Sequence, residues 1–282
     1  MLNRKLIYGL LIFLFTTSLI FGLVIFYSSA SGELKVIFLD IGQGDAILIS
    51  QGKNQILIDG GRDGKILLEK LGEKIPFWDR QIEIVIATHP DQDHIGGLIN
   101  VLQSYKVNSI LETKAESTSQ TYKAWKEAVS KEDAENIEAK KNLSIKFSND
   151  AIANILFPAD SIDTNSKSNN EHSVVLKLDF GENSFLFTGD LPGNREKSLA
   201  VGEIDFLKVA HHGSKYSTSE EFLNKVNPNE AIISAGKNNR YGHPNQDVIK
   251  RLMERKIKIW RTDEMGDITY KCPPASLCRV IH

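Results

Sequence analysis

The 282-residue chain has an ordinary globular composition, 41% hydrophobic and 25% charged, enough for one large domain or two small ones with a sizeable core. Its formal net charge is -2; without Arg4 and Lys5 the remainder has 34 - 2 = 32 basic against 36 acidic residues, or -4. No basic block stands out, so composition alone gives no support to a nucleic-acid partner, although divalent cations held at a site would supply positive charge there.

Residues 6–27 carry no charge and are long enough to cross a bilayer. Arg4 and Lys5 precede them, which puts the N-terminus in the cytoplasm and the rest outside. The run exceeds the apolar part of a signal peptide, so 1–30 is expected to be an uncleaved anchor; the small residues Ser28-Ser29-Ala30 keep cleavage and secretion open. Beyond it, 34–39, 46–50 and 55–58 read as short strands joined by turns at 41–45 and 52–54. Part of a helix is expected at 66–71 and a buried strand at 82–87. Then come a helix at 98–105, a strand at 107–111, an exposed charged helix over 121–141, and strands at 143–147 and 151–157. A polar loop over 160–170 leads to paired strands at 173–180 and 184–188. Helices at 195–201, 219–226 and 248–255 alternate with strands at 205–210, 231–234, 258–261 and 267–271. Strands in runs, with helices between some of them, predict two packed sheets covered outside by helices, with 31–282 as one domain. Cys272 and Cys278 are the two cysteines, and export would favour a disulfide between them.

Three of these strands hand over to loops carrying histidine or aspartate. The strand at 82–87 runs into Thr88-His89-Pro90-Asp91-Gln92-Asp93-His94. A loop can aim several side chains at one point, whereas a strand sends alternate ones to opposite faces. Imidazole nitrogen and carboxylate oxygen both ligate divalent metals, so this cluster predicts a metal site. The competing reading has Asp93 capping the following helix and Asp91 closing an Asx-turn. The other two endings are Gly189-Asp190 and His211-His212-Gly213-Ser214. If all three lie on one sheet edge, their side chains converge.

The His-x-x-x-Asp-His frame at 89–94, Thr188-Gly189-Asp190 and 211–214 resemble the metallo-β-lactamase fold. More narrowly, 38–46 (FLDIGQGDA), 57–61 (LIDGG), 173–178 (SVVLKL), 207–214 (LKVAHHGS) and 241–244 (YGHP) look like the soluble domain of ComEC-type DNA-internalisation proteins, over about 33–270. The resemblance implies an α/β fold, the four-layer αββα sandwich, with a metal cleft at one edge. It implies two divalent ions, manganese or zinc, and hydrolysis of a phosphodiester, with DNA the expected substrate in a DNA-uptake role. His89, Asp91, Asp93, His94, Asp190 and His211 are the implied metal ligands, Asp190 bridging the two ions. Asp93, Asp190 and His243 are the expected catalytic residues, with a plain loop histidine before proline the competing reading of His243. Gln43, Asp45, Asn170, His212, Ser214 and His243 are expected on the substrate side, His243 against a phosphate or the leaving group. A turn role competes for Gln43 and Asp45. Asp59, at a strand end like Asp40, either orients a ligating histidine or closes the turn before glycine.

Two departures qualify the likeness. The broad fold has histidine where this chain has Asp91, which adds oxygen and negative charge and shifts the expected preference toward manganese or another hard ion. The fold's middle histidine has no match among Asn169, Asn170 and His172, so one metal position is expected to be weak or filled by solvent. ComEC proteins also carry a many-helix membrane channel, and this chain has one membrane segment, so a separate channel protein is the expected partner. The competing functions are hydrolysis of another ester, a lactone or a β-lactam, and a non-catalytic module serving such a channel. His282 is expected to take no part.

Overall fold

The computed structural model describes residues 4–30, 32–146, 151–159 and 168–281. It opens with helix α1 (Arg4–Ala30), whose stretch Arg4–Gly22 is long and apolar enough to cross a membrane and has none of its surface buried by the rest of the chain. A helix that is apolar all round needs an apolar solvent or a packed interior around it.

The first sheet begins with the antiparallel strands β1 (Leu34–Phe38), β2 (Ile47–Gln51) and β3 (Asn54–Ile58). Helix α2 (Gly64–Lys74) crosses over to β4 (Gln81–Ala87), parallel to β3. Then come α3 (Gln92–Ile95), α4 (Leu98–Ser104), β5 (Lys106–Glu112), α5 (Gln120–Lys131) and β6 (Glu135–Glu138). The second sheet holds β7 (Ser144–Lys146), β8 (Ile152–Phe157), β9 (Val175–Phe180) and β10 (Asn183–Phe187). It continues through α6 (Gly193–Glu196), β11 (Phe206–Lys208), α7 (Glu220–Val226), β12 (Glu230–Ile233), α8 (Gln246–Glu254) and β13 (Lys258–Arg261). Helix α9 (Thr262–Met265) returns the chain to the first sheet as β14 (Ile268–Cys272) and β15 (Arg279–Ile281). The spatial orders are β15-β14-β1-β2-β3-β4-β5-β6 and β13-β12-β11-β10-β9-β8-β7.

Alternation along the strands builds the layers. Val36 and Phe38 point between the sheets, where they pack with Phe185, Phe187 and Tyr270. Ile37 and Leu39 point the other way, toward Leu71 of α2, Val101 of α4 and Trp125 of α5. On the far side Leu186 and Leu207 meet Phe222 of α7 and Leu252 of α8. The period of two in a strand thus feeds two cores at once and gives the expected four-layer αββα sandwich.

Several local expectations change. The helix expected over 121–141 stops at Lys131, and Glu135–Glu138 pairs in parallel with β5 instead. Ala, Glu and Lys favour helix there, but pairing at the open sheet edge prevails. Nor is that helix merely a solvated face: Trp125 and Val129 are buried, and the Trp125 indole donates to Glu112 Oε2 at 2.9 Å. The helix expected over 195–201 is only Gly193–Glu196; Glu196 is buried and accepts the Thr218 and Ser219 N–H groups. The strand expected at 205–210 is Phe206–Lys208, and β15 had no counterpart in the sequence reading. Residues 160–167 of the expected polar loop, Phe147 and His282 lie outside the described residues. Cys272 and Cys278 are bonded to one another, closing the turn from β14 to β15.

Candidate metal centre

Strand β3 ends at Asp59, held in the left-handed region at φ 58°. Its carboxylate accepts the Thr88 N–H at 2.8 Å and the Thr88 hydroxyl at 2.6 Å, and faces His94 Nδ1 at 2.7 Å. Having given its proton to Asp59, the Thr88 hydroxyl can only accept from His89 Nδ1, 3.0 Å away. Across the cleft, His212 Nδ1 donates to the Ser234 carbonyl at 3.0 Å. In all three rings, then, Nδ1 is engaged from behind and Nε2 is the nitrogen turned toward the cleft. These Nε2 atoms, of His89, His94 and His212, are buried without a hydrogen-bond partner, as are Asp45 Oδ1 and Asp190 Oδ1. Unpaired buried acceptors are costly and rare. Convergence of several, with the tautomers fixed from behind, is the donor set a divalent cation requires.

Asp190 sits at the centre. Its Oδ2 lies 3.4 Å from His94 Nε2, 3.5 Å from His212 Nε2 and 3.6 Å from His211 Nε2. Ligand atoms of His89, His94 and Asp190 lie within 4.8 Å of one another, as do those of Asp93, His94 and His212, and those of Asp45, Asp190 and His212. His89, Asp93, His94 and Asp190 are therefore brought together. Asp91 lies at the rim, its Oδ1 accepting from Asn169 and its Oδ2 3.7 Å from His89 Nε2. Of the two adjacent histidines the buried His212 offers the aligned nitrogen; His211 is partly exposed, with the Asn170 amide 3.3 Å from its Nδ1. Both adopt left-handed backbone, at φ 50° and 53°, and Gly213 follows at φ 80°. Such strain persists only where surrounding structure enforces it, and here it turns two rings off the end of β11.

The other expected residues fall around this cluster. Asp45 is buried against Lys208 and stands 3.3 Å from His212 Nδ1. Gln43 lies against Gly236, where an added Cβ would meet its amide. Ser214 is buried and its hydroxyl accepts the Tyr216 N–H at 3.4 Å, which fits a turn better than substrate contact. The His243 ring lies 5.6 Å from that of His211, with Nδ1 unpartnered. Asp40 accepts the Gly42 N–H and stays in its turn.

Sequence reasoning gave no role to Lys208, Thr88 or Ser234, and weighed Asn169 only in place of the missing histidine. The signal for Lys208 was present as a lysine inside the apolar strand 206–210.

Charge follows geometry. Burial opposes a charge on His94, but Asp190 and Asp59 prevail and push it well above the ordinary histidine value. His212 is raised in the same way, burial losing to Asp190 and Asp45. Burial, reinforced by His94, pushes His89 down to about 3. Burial would raise Asp190, yet His212 and His94 hold it well below the carboxylate range. Asp45 is also depressed, burial being outweighed by Lys208 and His212. Burial lowers His243, which favours a neutral ring.

The loop bearing Asp45 is pinned to the first metal loop by a contact only glycine allows. A Cβ at Gly44, where φ is +100°, would fall 1.7 Å from the Asp93 carbonyl oxygen. Gly44→Ala is therefore expected to cost about 3 kcal/mol, the upper end of what a forbidden backbone conformation costs, because the clash is with backbone. Urea unfolding measures it; an unchanged midpoint would mean the loop is not held there.

A profile of the metallo-beta-lactamase superfamily matches residues 39–237. The chain belongs to this superfamily. ComE operon protein 3 of Bacillus subtilis (strain 168) is 37% identical over 270 residues, covering 88% of this chain and 34% of the relative. Recombination protein 2 of Haemophilus influenzae is 31% identical over 257 residues, covering 89% and 30%. Competence protein ComA of Neisseria gonorrhoeae is 28% identical over 246 residues, covering 84% and 32%. The chain thus spans about a third of the length of these relatives. Among solved structures, the metallo-beta-lactamase fold protein YhfI from Bacillus subtilis superposes with a TM-score of 0.54 at 12% identity, covering 84% of this chain and 99% of that one. The superfamily supplies a hydrolase fold, and the histidine and aspartate clusters of this member are able to hold metal.

Proposed function

We propose that this protein is a membrane-anchored hydrolase whose metal centre lies outside the cytoplasm and cleaves a phosphodiester, with DNA as substrate in a DNA-uptake role. Residues 1–30 form the anchor and 31–282 the catalytic domain, with Arg4 and Lys5 on the cytoplasmic side. The observation that carries the reading is the set of three buried, unpartnered Nε2 atoms, those of His94 and His212 facing Asp190 and that of His89 in the same cluster. His89, His94 and Asp190 would hold one ion, and Asp93, His212 and the shared Asp190 another, manganese or zinc, with Asp91 at the rim. When bound, such ions lower the pKa of water and neutralise charge on a phosphoryl group. The chain's own residues do the rest. Asp59, Thr88 and the Ser234 carbonyl fix the ring tautomers; Lys208 balances Asp45. The neutral His243, with a free Nδ1, stands beside His211, where it can take a proton or contact phosphate. The substrate and the uptake role are supported by relatives named as competence and recombination proteins; the partner proposed with them is a membrane DNA channel.

The test uses the full chain in detergent with manganese. We expect bound metal, weaker as pH falls because the cation competes with protons on His94 and His212, and cleavage of single-stranded DNA or of a chromogenic diester. A chain that binds metal and leaves both intact would be a non-catalytic module instead.

A further inference from the structure

We propose that the turn Pro76-Phe77-Trp78-Asp79 seats the domain on the lipid surface that α1 enters; this rests on the anchoring reading above. Strand register fixes where the turn lies. Leu34, the first residue of β1, pairs with Cys272 and with Gln51, and Gln51 pairs with Asn54. Strand β4 runs parallel to β3, with Ile56 opposite Ile84, so Gln81 and the turn before it lie at this same end. The residues of the metal centre leave the opposite ends, Asp59, behind His94, from β3 and His89 from β4. The length of β4 separates the two ends by about 20 Å at ~3.3 Å per residue.

This near end cannot stray far from a bilayer holding α1. Helix α1 runs to Ala30 and β1 begins at Leu34. Four Cα steps reach at most about 14 Å. The link is also tied down: the Gln51 amide donates to the Gly32 carbonyl at 2.9 Å. The polar layer on each side of the hydrocarbon is itself only about 5–8 Å deep. The sheet edge is thereby kept on a short tether to the headgroup layer.

At that edge the turn presents two large aromatic side chains. Phe77 is 78% exposed and Trp78 is 55% exposed, their rings edge to face at 4.9 Å. Their exposure is built in rather than incidental. The Asp79 N–H closes the turn onto the Pro76 carbonyl at 2.8 Å, and the Asp79 carboxylate accepts from Gln55 at 3.0 Å. Tryptophan pairs an apolar ring with an N–H donor, which suits the boundary between headgroups and acyl chains. Lys53, Arg80 and Lys106 are exposed along the same edge and complement lipid phosphates, with Asp79, Glu33, Glu83 and Glu132 the acidic groups near them. Seating this edge points the metal centre away from the bilayer, toward substrate arriving from outside.

Tryptophan emission reads the contact, because of three tryptophans Trp125 and Trp260 are buried, at 1% and 9% exposure. The full chain is reconstituted into phosphatidylcholine–phosphatidylglycerol vesicles containing lipid brominated near the headgroup. We expect the emission to shift to the blue and to be quenched, and Trp78→Phe to remove the quenchable part. A chain stripped from the vesicles by carbonate overturns the anchoring reading, and the seating with it. A chain that stays embedded while Trp78 emits unquenched, as in water, overturns the seating alone. Burial of Trp78 in native membranes but not in lipid vesicles assigns the turn to a membrane protein and overturns a lipid contact.

Discussion

Asp190→Asn is expected to abolish metal binding and hydrolysis together while the sandwich still folds. Asp190 is the carboxylate that faces His94, His212 and His211, at 3.4, 3.5 and 3.6 Å. An amide of the same shape removes the charge that would balance a cation and turns one oxygen into a donor aimed at lone pairs that must stay free. Groups that merely orient a ligand cost roughly 10–100-fold in metal affinity when lost, so a central ligand should cost more. Thermal unfolding with and without manganese is the cleanest readout. A cation at a hundred times its dissociation constant stabilises the wild type by about 2.7 kcal/mol, and the variant should gain nothing. The metal-free variant should also be less stable at neutral pH. The Asp190 carboxylate is depressed in the folded state, so its contribution is present above the unfolded pKa and lost as pH falls through the folded value. The gap between variant and wild type should therefore close in acid. A variant that binds manganese and retains full activity would overturn the assignment.

The sequence exposed the ends of strands better than the middles of anything else. Each of 82–87, 184–188 and 205–210 could be read as an apolar run halted by chemistry, because a strand end is where a buried chain must surface and where ligands gather. The cluster of candidate metal-binding side chains close in sequence, His89 to His94, was legible for the same reason. The choice between His211 and His212 was not. Adjacent residues on a strand would point to opposite faces, but here both are left-handed, and only the three-dimensional path shows that His212 finds the Ser234 carbonyl at 3.0 Å. Asn169 shows a second kind of blindness. Its hydrogen bond to Asp91 joins residues 78 positions apart, and no local pattern marks such a partner. Composition misled over 121–141: the Ala, Glu and Lys of the segment as a whole favour helix, yet Glu135–Glu138 completes a sheet edge, where pairing decides.

Lys208 carries the second large effect, on stability. It sits on β11 with no exposed surface, its ammonium paired with Asp45, donating to the Gly189 carbonyl at 3.1 Å and 3.9 Å from Asp190 Oδ1. Methionine in its place would keep the volume and remove the charge. Breaking a buried pair by deleting one partner costs about 3–5 kcal/mol, because the other charge stays behind without compensation. The low end, about 3 kcal/mol, is expected here, since His212 at 3.3 Å and His94 at 4.0 Å still face the Asp45 carboxylate. Asp45→Asn together with Lys208→Met should recover most of the loss, because neither charge is then orphaned. The pH dependence carries its own sign. Asp45 is depressed in the wild type, so the stability it contributes is present above the unfolded carboxylate pKa and lost as pH falls. With the lysine gone, burial acts with less opposition, and the penalty of Lys208→Met should be greater at pH 7 than at pH 4. Urea unfolding of the two single variants and the double variant at both pH values tests the whole cycle. If the single lysine variant unfolds like the wild type, or the double variant is no better than the single, the ammonium is not there to balance Asp45.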